Sequence, residues 1–193
     1  RISSTRVFRS QYDALRQRLT SQARGEVVEV GAGGGQNFGW YDPAVTTKVT
    51  AVEPNGHMLR TAQTQAALAK VPITVVRGIA ESLPVPDASA DAVLETLVLC
   101  SVDDVGRAVG EMWRVLRPGG SLLLMDHVRN EQARGWARVQ DALTPIQRRV
   151  AGNCHLNRAT VPVVRAAGFA VDETRWSGGA VHPVVLIIAH KPA

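Results

Sequence analysis

Nine consecutive residues, Glu29-Val30-Gly31-Ala32-Gly33-Gly34-Gly35-Gln36-Asn37, put an acid, a run of glycines and an amide side chain in one short stretch. Glycines let a backbone turn tightly and come close to a ligand before a helix begins. Such loops also serve packing alone, so the glycines by themselves decide little. A second acid changes the balance: Glu53, in Ala51-Val52-Glu53-Pro54, has the placing of a carboxylate that accepts both hydroxyls of a ribose. Glu29, just ahead of the glycines, puts negative charge where a pyrophosphate would be repelled and an ammonium group welcomed. The chemistry implied is recognition of a nucleoside bearing an ammonium and no phosphate.

A different set of residues has the types needed to move protons. Asp126 and His127 adjoin in Met125-Asp126-His127-Val128 and are candidate general bases. His155 and Arg158 stand in Asn153-Cys154-His155-Leu156-Asn157-Arg158, and Cys100 in Glu95-Thr96-Leu97-Val98-Leu99-Cys100-Ser101-Val102. Helix capping by Asp126 and structural roles for the histidines compete with catalysis, and a buried cysteine often acts as a small hydrophobe. Cys154 and His155 are adjacent and lack two further partners at ligand spacing, so no metal is expected.

These residues need a scaffold, and the apolar pattern supplies one. Short β-rich runs at 26–30, 48–53, 73–77, 90–95 and 120–126 alternate with helical stretches at 55–69 and 104–116. The second helix is closed by Arg117-Pro118-Gly119-Gly120, a helix stop followed by a strand start. Parallel strands joined by crossover helices follow from this rhythm. The last two strands, 169–176 and 183–190, flank Ser177-Gly178-Gly179 and read as an antiparallel hairpin. Glu29, Glu53 and Asp126–His127 then fall at carboxyl ends of strands, the edge where open α/β sheets bind ligands. Trp136, Val139, Leu143, Ile146 and Val150 recur at three and four residues, predicting an amphipathic helix over 131–150, kinked near Pro145, that covers the site. Phe8, Tyr12, Leu15 and Leu19 make a similar stripe. Together the two helices would form a lid over an apolar acceptor pocket.

Composition narrows the class. The 193 residues are 45% hydrophobic and 20% charged, as in one globular domain able to bury a sizeable core. With 22 basic and 17 acidic side chains the net charge is +5, and the arginines are scattered. No run reaches the ~20 apolar residues of a membrane span. Two cysteines are too few for a disulfide framework, which points to a reducing cytoplasm. Arg134, Arg138, Arg148 and Arg149 beside the apolar stripe add weak contact with an anionic membrane surface as an alternative. The chain opens on Arg1 rather than methionine, and it is expected to have been trimmed. Dispersed arginines and the lack of an aromatic platform disfavour a nucleic-acid partner or a noncatalytic scaffold.

Taken with Gly78-Ile79-Ala80-Glu81-Ser82-Leu83-Pro84 and Arg114-Val115-Leu116-Arg117-Pro118-Gly119-Gly120, the glycine loop and Val52-Glu53-Pro54 resemble, in order, the motifs of class I S-adenosylmethionine-dependent methyltransferases. The resemblance covers nearly the whole chain. It implies an α/β fold with a Rossmann-like seven-stranded sheet, mostly parallel with an antiparallel C-terminal strand and helices on both faces. It also implies one domain over 1–193, with 1–24 and 127–157 as substrate-lid segments. S-adenosylmethionine would be the cofactor and S-adenosylhomocysteine the product. By the same resemblance, Glu29, Gly31, Ala32, Gly33 and Asn37 would line the methionine moiety and Glu53, followed by Pro54, would hold the ribose. Met58, Ala80 and Glu81 would meet the adenine, and Leu97 would line the cofactor. Ile79 stands where the commonest pattern has Asp, which removes an acceptor for the adenine amino group.

The acceptor side narrows the resemblance. No Asp-Pro-Pro-Tyr or Asn-Pro-Pro-Tyr segment follows the fourth strand, unlike amino-methylating nucleic-acid enzymes. The wording at 96–102, 114–120, 125–128 and 153–158 is similar to small alkyl-thiol methyltransferases and their phospholipid-methyltransferase-like bacterial relatives, although Asn153 stands where that group has glycine. This implies a small apolar acceptor, a thiol first and a phosphatidylethanolamine-type amine second, or small-molecule O- or C-methylation. Asp126 and His127 would be catalytic, with Cys100, His155 and Arg158 toward the substrate. A thiol, with a pKa of about 8.5, supplies its own anion near neutrality and needs little base help.

Overall fold

The computed structural model describes residues 3–193, with side chains from Tyr12 onward. Phe8 of the N-terminal stripe lies outside the described side chains. Among the described residues the chain runs α1 (Ser3–Thr20), β1 (Gly25–Val30), β2 (Thr46–Glu53), α2 (Gly56–Ala66), β3 (Ile73–Arg77) and β4 (Ala90–Thr96). It continues through α3 (Val105–Val115), β5 (Leu116–His127), α4 (Arg134–Val150), α5 (Thr160–Ala166), β6 (Ala170–Gly178) and β7 (Pro183–His190). The sheet order is β3-β2-β1-β4-β5-β7-β6. The pairs β1–β2, β1–β4, β2–β3 and β4–β5 are parallel, whereas β5–β7 and β6–β7 are antiparallel. Strand order reverses between β1 and β4, and a ligand crevice opens at the carboxyl side of such a switch point.

Alternation along the strands builds a core on each face of the sheet. Leu122 and Leu124 of β5 join one buried cluster with Val109 and Met112 of α3 and Val164 of α5. Leu123 and Met125 join the other, with Leu19 of α1 and Ala62 of α2. Period two in the strand and period 3.6 in the helices therefore meet on both sides. The helices start where the sequence offers caps: Asn55 accepts from the amides of His57 and Met58, and Asp104 from that of Arg107.

Three expectations need adjusting. The fifth strand begins directly at Leu116, because the amide of Gly119 bonds to Lys191 and that of Lys191 returns to Gly120, which draws Arg117–Gly120 into the sheet edge. Helix α4 starts at Arg134, three residues later than expected, and holds Pro145 within its span to Val150. The apolar stripe of α4 also faces outward: Trp136, Val139 and Leu143 are exposed, as are Ile146 at 60% and Val150 at 76%. The helix docks instead through Ala137, Gln140 and Thr144. Buried Gln140 donates to the carbonyls of Val128 (3.0 Å) and Leu156 (2.7 Å) and accepts from the Asn130 amide (2.7 Å), so a polar hub fixes which face turns inward. The stripe thus turns away from the sheet, and Trp136 borders a cavity shared with Trp176, Gly178 and Pro183.

Candidate active site

The crevice holds the carboxyl ends of β1, β2, β4 and β5. Glu53 ends β2 with only 6% of its surface exposed, and its two oxygens accept from the Gly33 and Asn55 amides, each at 2.8 Å. The second acid therefore organises the glycine loop and keeps lone pairs for a ligand's hydroxyls. At Gly31 the backbone is left-handed (φ 65°), and a Cβ there would run into Val98. Only glycine gives the close approach of this loop to the β4 end.

A cavity of about 310 Å³ opens beside it, lined by Gly31, Pro54, Ile79, Ala80 and Glu81 and closed by Val98 and Gly152. The loop carrying Ala80 is clamped from α3. Arg114 donates to the carbonyls of Leu83 (3.0 Å) and Val85 (2.9 Å), and Glu111 accepts from the Leu83 amide (2.7 Å). Glu81 turns its carboxylate onto the Asp103 and Asp104 amides, at 2.8 and 3.3 Å, so it ties this wall to the start of α3. Met58 lies apart from Ala80, on a neighbouring 840 Å³ cavity lined by Tyr12, Asp13, Arg16, Gly34 and Gln36.

Glu29 is buried with both oxygens engaged, by Asn37 Nδ2 at 2.9 Å and Tyr41 Oη at 2.6 Å. Burial pushes its carboxyl up to about 7, against the opposing pull of these donors and of Arg16. From its ordinary 4.5 up to about 7, the folded chain retains a proton that the unfolded chain has released, so this group's contribution to stability falls as pH rises through that window. Glu29→Gln is expected to flatten the fall, with thermal melts at closely spaced pH values as the check; a slope equal to that of the parent would remove the assignment.

Arg16, from α1, is the functional side chain that sequence reasoning missed. Its guanidinium donates to Asn37 Oδ1 (3.0 Å) and Thr96 Oγ1 (2.8 Å), within the field of Glu29 and Glu95. It joins the β1 loop to the β4 end and turns a cation toward the cavity it lines. The arginine-rich stretch Arg16-Gln17-Arg18 gives no cue that distinguishes it.

Beyond β4 the chain turns sharply. Leu97 takes a left-handed conformation (φ 64°), unusual for a branched side chain, and its amide bonds to Met125. Buried Glu95 accepts from the Val98 and Leu99 amides and so shapes the turn that presents Cys100. The segment after α4 closes over this turn: the His155 amide and Asn153 Nδ2 donate to the carbonyls of Cys100 (2.7 Å) and Ser101 (2.9 Å), and Arg158 donates to that of Val102. Asn153 is left-handed (φ 65°), a conformation that asparagine tolerates and glycine prefers. His155 Nδ1 lies 3.1 Å from both the Arg158 guanidinium and the Cys100 carbonyl, which engages the ring as a strut.

Asp126 is fully buried, its Oδ1 accepting from the His127 amide (3.0 Å) and its Oδ2 without a partner. Burial raises its carboxyl to about 8. His127 is half-buried, with Tyr12 Oη 3.3 Å from Nε2 and Cys154 Sγ 3.8 Å from Nδ1. The structure thus brings Cys100, His127 and Cys154 together, and sets His155 and Arg158 behind them.

The donor set fits S-adenosylmethionine. Glu53 offers acceptor oxygens that could take a ribose, the cavity lined by Gly31 and Ala80 could take a base, and Arg16, on the neighbouring cavity, could take an α-carboxylate. This is the seven-stranded, mostly parallel sheet of a class I S-adenosylmethionine-dependent methyltransferase. The chain belongs to that family: residues 28–124 match the family model described as a methyltransferase domain. It is 33% identical over 156 residues to the thiol S-methyltransferase TMT1B of Rattus norvegicus, covering 78% of this chain and 62% of the relative. It is 34% identical over 149 residues to the human thiol S-methyltransferase TMT1A, covering 75% and 59%. The chain thus spans about 60% of the length of these relatives. In fold it is similar to the YcgJ protein of Bacillus subtilis (TM-score 0.76, 19% identity, 94% of this chain and 99% of that one). It is likewise similar to a geranyl diphosphate methyltransferase in complex with SAM (TM-score 0.73, 15% identity, 94% and 84%).

Proposed function

We propose that the chain transfers the cofactor's methyl group to the sulfur of a small, rather apolar thiol, in a cytoplasmic setting that keeps its own cysteines reduced. The observation that carries this is the burial of Glu95 and Asp126, the carboxylates at the β4 and β5 ends, which puts both out of an acceptor's reach. His127 is the part-exposed titratable group that ends β5. Such a site suits an acceptor that arrives as its own anion. The naming of similar proteins as thiol S-methyltransferases supports the reading.

S-adenosylmethionine, when bound, supplies an electrophilic methyl on a sulfonium that loses its charge in the displacement. The protein's part is to align the acceptor and strip its water. Glu53 would hold the ribose, Pro54 and Ala80 would flank the base, and Arg16 would pair the α-carboxylate near Glu29 and Asn37. Leu97 and the turn after it would form the wall between cofactor and acceptor. If the substrate brings the anion, the rate should rise with pH toward the pKa of each thiol tested, and the inflection should shift between thiols of different acidity. A single inflection near neutrality shared by all thiols would point to His127 as a base instead.

The outward stripe of α4 favours a second reading, in which the acceptor is a lipid amine met at a membrane surface. Exposed Trp136, Ile146 and Val150 are flanked by exposed Arg138, Arg148 and Arg149, a pattern suited to the anionic headgroup boundary. Among the described residues no helix is long and apolar enough to cross a membrane. This reading expects flotation with phosphatidylserine-containing vesicles that Ile146→Asp abolishes. Sedimentation away from the vesicles would dismiss it.

A further inference from the structure

We propose that Cys100, His127 and Cys154 form a binding site for one soft divalent cation, Zn²⁺ by its chemistry, whose open fourth position receives the acceptor's sulfur. The inference rests on the thiol reading above. The three residues are far apart in sequence and come from separate pieces of the fold: the turn after β4, the end of β5 and the segment after α4. Their ligand atoms nonetheless lie within 4.8 Å of one another. A tetrahedral zinc ion with Zn–S of about 2.3 Å and Zn–N of about 2.0–2.1 Å holds such atoms about 3.3–3.8 Å apart. The cluster would close by roughly an ångström, within the reach of side-chain rotation.

Several details fit this use. The hydrogen bond that the His155 amide donates to the carbonyl of Cys100 (2.7 Å) holds the two cysteine-bearing segments side by side. His127 turns Nδ1 toward Cys154 Sγ at 3.8 Å, while Tyr12 Oη at 3.3 Å engages Nε2. With Nε2–H donated to Tyr12, Nδ1 keeps its lone pair for a metal, the outer partner setting the tautomer. The adjoining carboxylate of Asp126 is wholly buried and lies beside Cys100. Two thiolates and an imidazole make a donor set suited to zinc, and three protein ligands leave a position open, as in catalytic sites. The cysteines and histidine at this site are close enough to act together, which their sequence spacing conceals.

The chemistry balances. On binding the metal, the acceptor thiol gives its proton to solvent and stays as a thiolate. Its sulfur then forms the new bond to the methyl carbon, and the old carbon–sulfur bond breaks with its electron pair left on the cofactor's sulfur. The product is a neutral thioether, a poorer ligand than a thiolate, and it leaves the metal.

The test uses the full chain, reduced and metal-depleted, titrated with Co²⁺ without oxygen. One equivalent should produce intense thiolate-to-cobalt charge-transfer absorption, lost in Cys100→Ser and in Cys154→Ser, whose folding is checked by thermal melts. Adding a small alkyl thiol should change the cobalt d–d bands. Metal depletion should lower thiol methylation on the order of 100-fold, with S-adenosylhomocysteine affinity unchanged. The absence of a charge-transfer band, or one indifferent to both cysteines or to added thiol, overturns the proposal. So does a resting Cys100–Cys154 disulfide with no metal uptake after reduction. Full thiol methylation by metal-free protein overturns the metal site and leaves the thiol reading standing. A cysteine-dependent band beside turnover of amines or lipids and of no thiol overturns the thiol reading, and with it the acceptor's place on the metal.

Discussion

Arg16→Met is expected to lower the melting temperature by about 6–12 °C near pH 8 and to weaken S-adenosylhomocysteine binding in the same preparation. The guanidinium bridges Asn37 and Thr96 at 3.0 and 2.8 Å and offsets the buried charge of Glu29 and Glu95. Removing one partner from such an arrangement leaves buried charge uncompensated at about 3 kcal/mol, and each kcal/mol shifts the midpoint by about 2–4 °C in a domain of this size. The loss should shrink at about pH 5.5, where Glu29, raised by burial to about 7, takes up its proton and no longer needs the cation. Equal melting temperatures for parent and variant at both pH values would show that Arg16 carries no such load.

Glu53→Ala is expected to weaken S-adenosylhomocysteine binding by about 10- to 100-fold or more, since hydrogen bonds to a charged group contribute about 1.5–3 kcal/mol each. The carboxylate also holds the Gly33 and Asn55 amides, so its loss frees the loop as well as the ribose hydroxyls. Glu53→Gln keeps one carbonyl acceptor and should fall between parent and alanine. Calorimetry on folded variants decides, and parent-like affinity in Glu53→Ala would refute the ribose assignment.

Strand ends were legible because their signals are local. Glycines after an apolar run, an acid before proline and caps such as Asn55 and Asp104 each state their role within a few residues. The antiparallel last pair was legible from its glycine turn. Contacts between distant segments were not: nothing in the spacing of Cys100, His127 and Cys154 announces one cluster, since the segment after α4 folds back through backbone hydrogen bonds. Helical periodicity failed at α4 for a related reason. A repeat of three and four reveals an apolar face but not which way it points, and here Gln140, on the other face, finds four partners inside. Arg16 was invisible because its importance comes from two buried acids far along the chain.

Methyl transfer to sulfur is tested by identifying the products. The purified chain is incubated with methyl-labelled S-adenosylmethionine and a mixture of small thiols, phenols, amines and phosphatidylethanolamine, and the labelled products are identified by mass. Label is expected as S-methyl thioethers, with one S-adenosylhomocysteine formed per product. Label found only on oxygen, nitrogen or lipid, with every thiol returned unchanged, would contradict it.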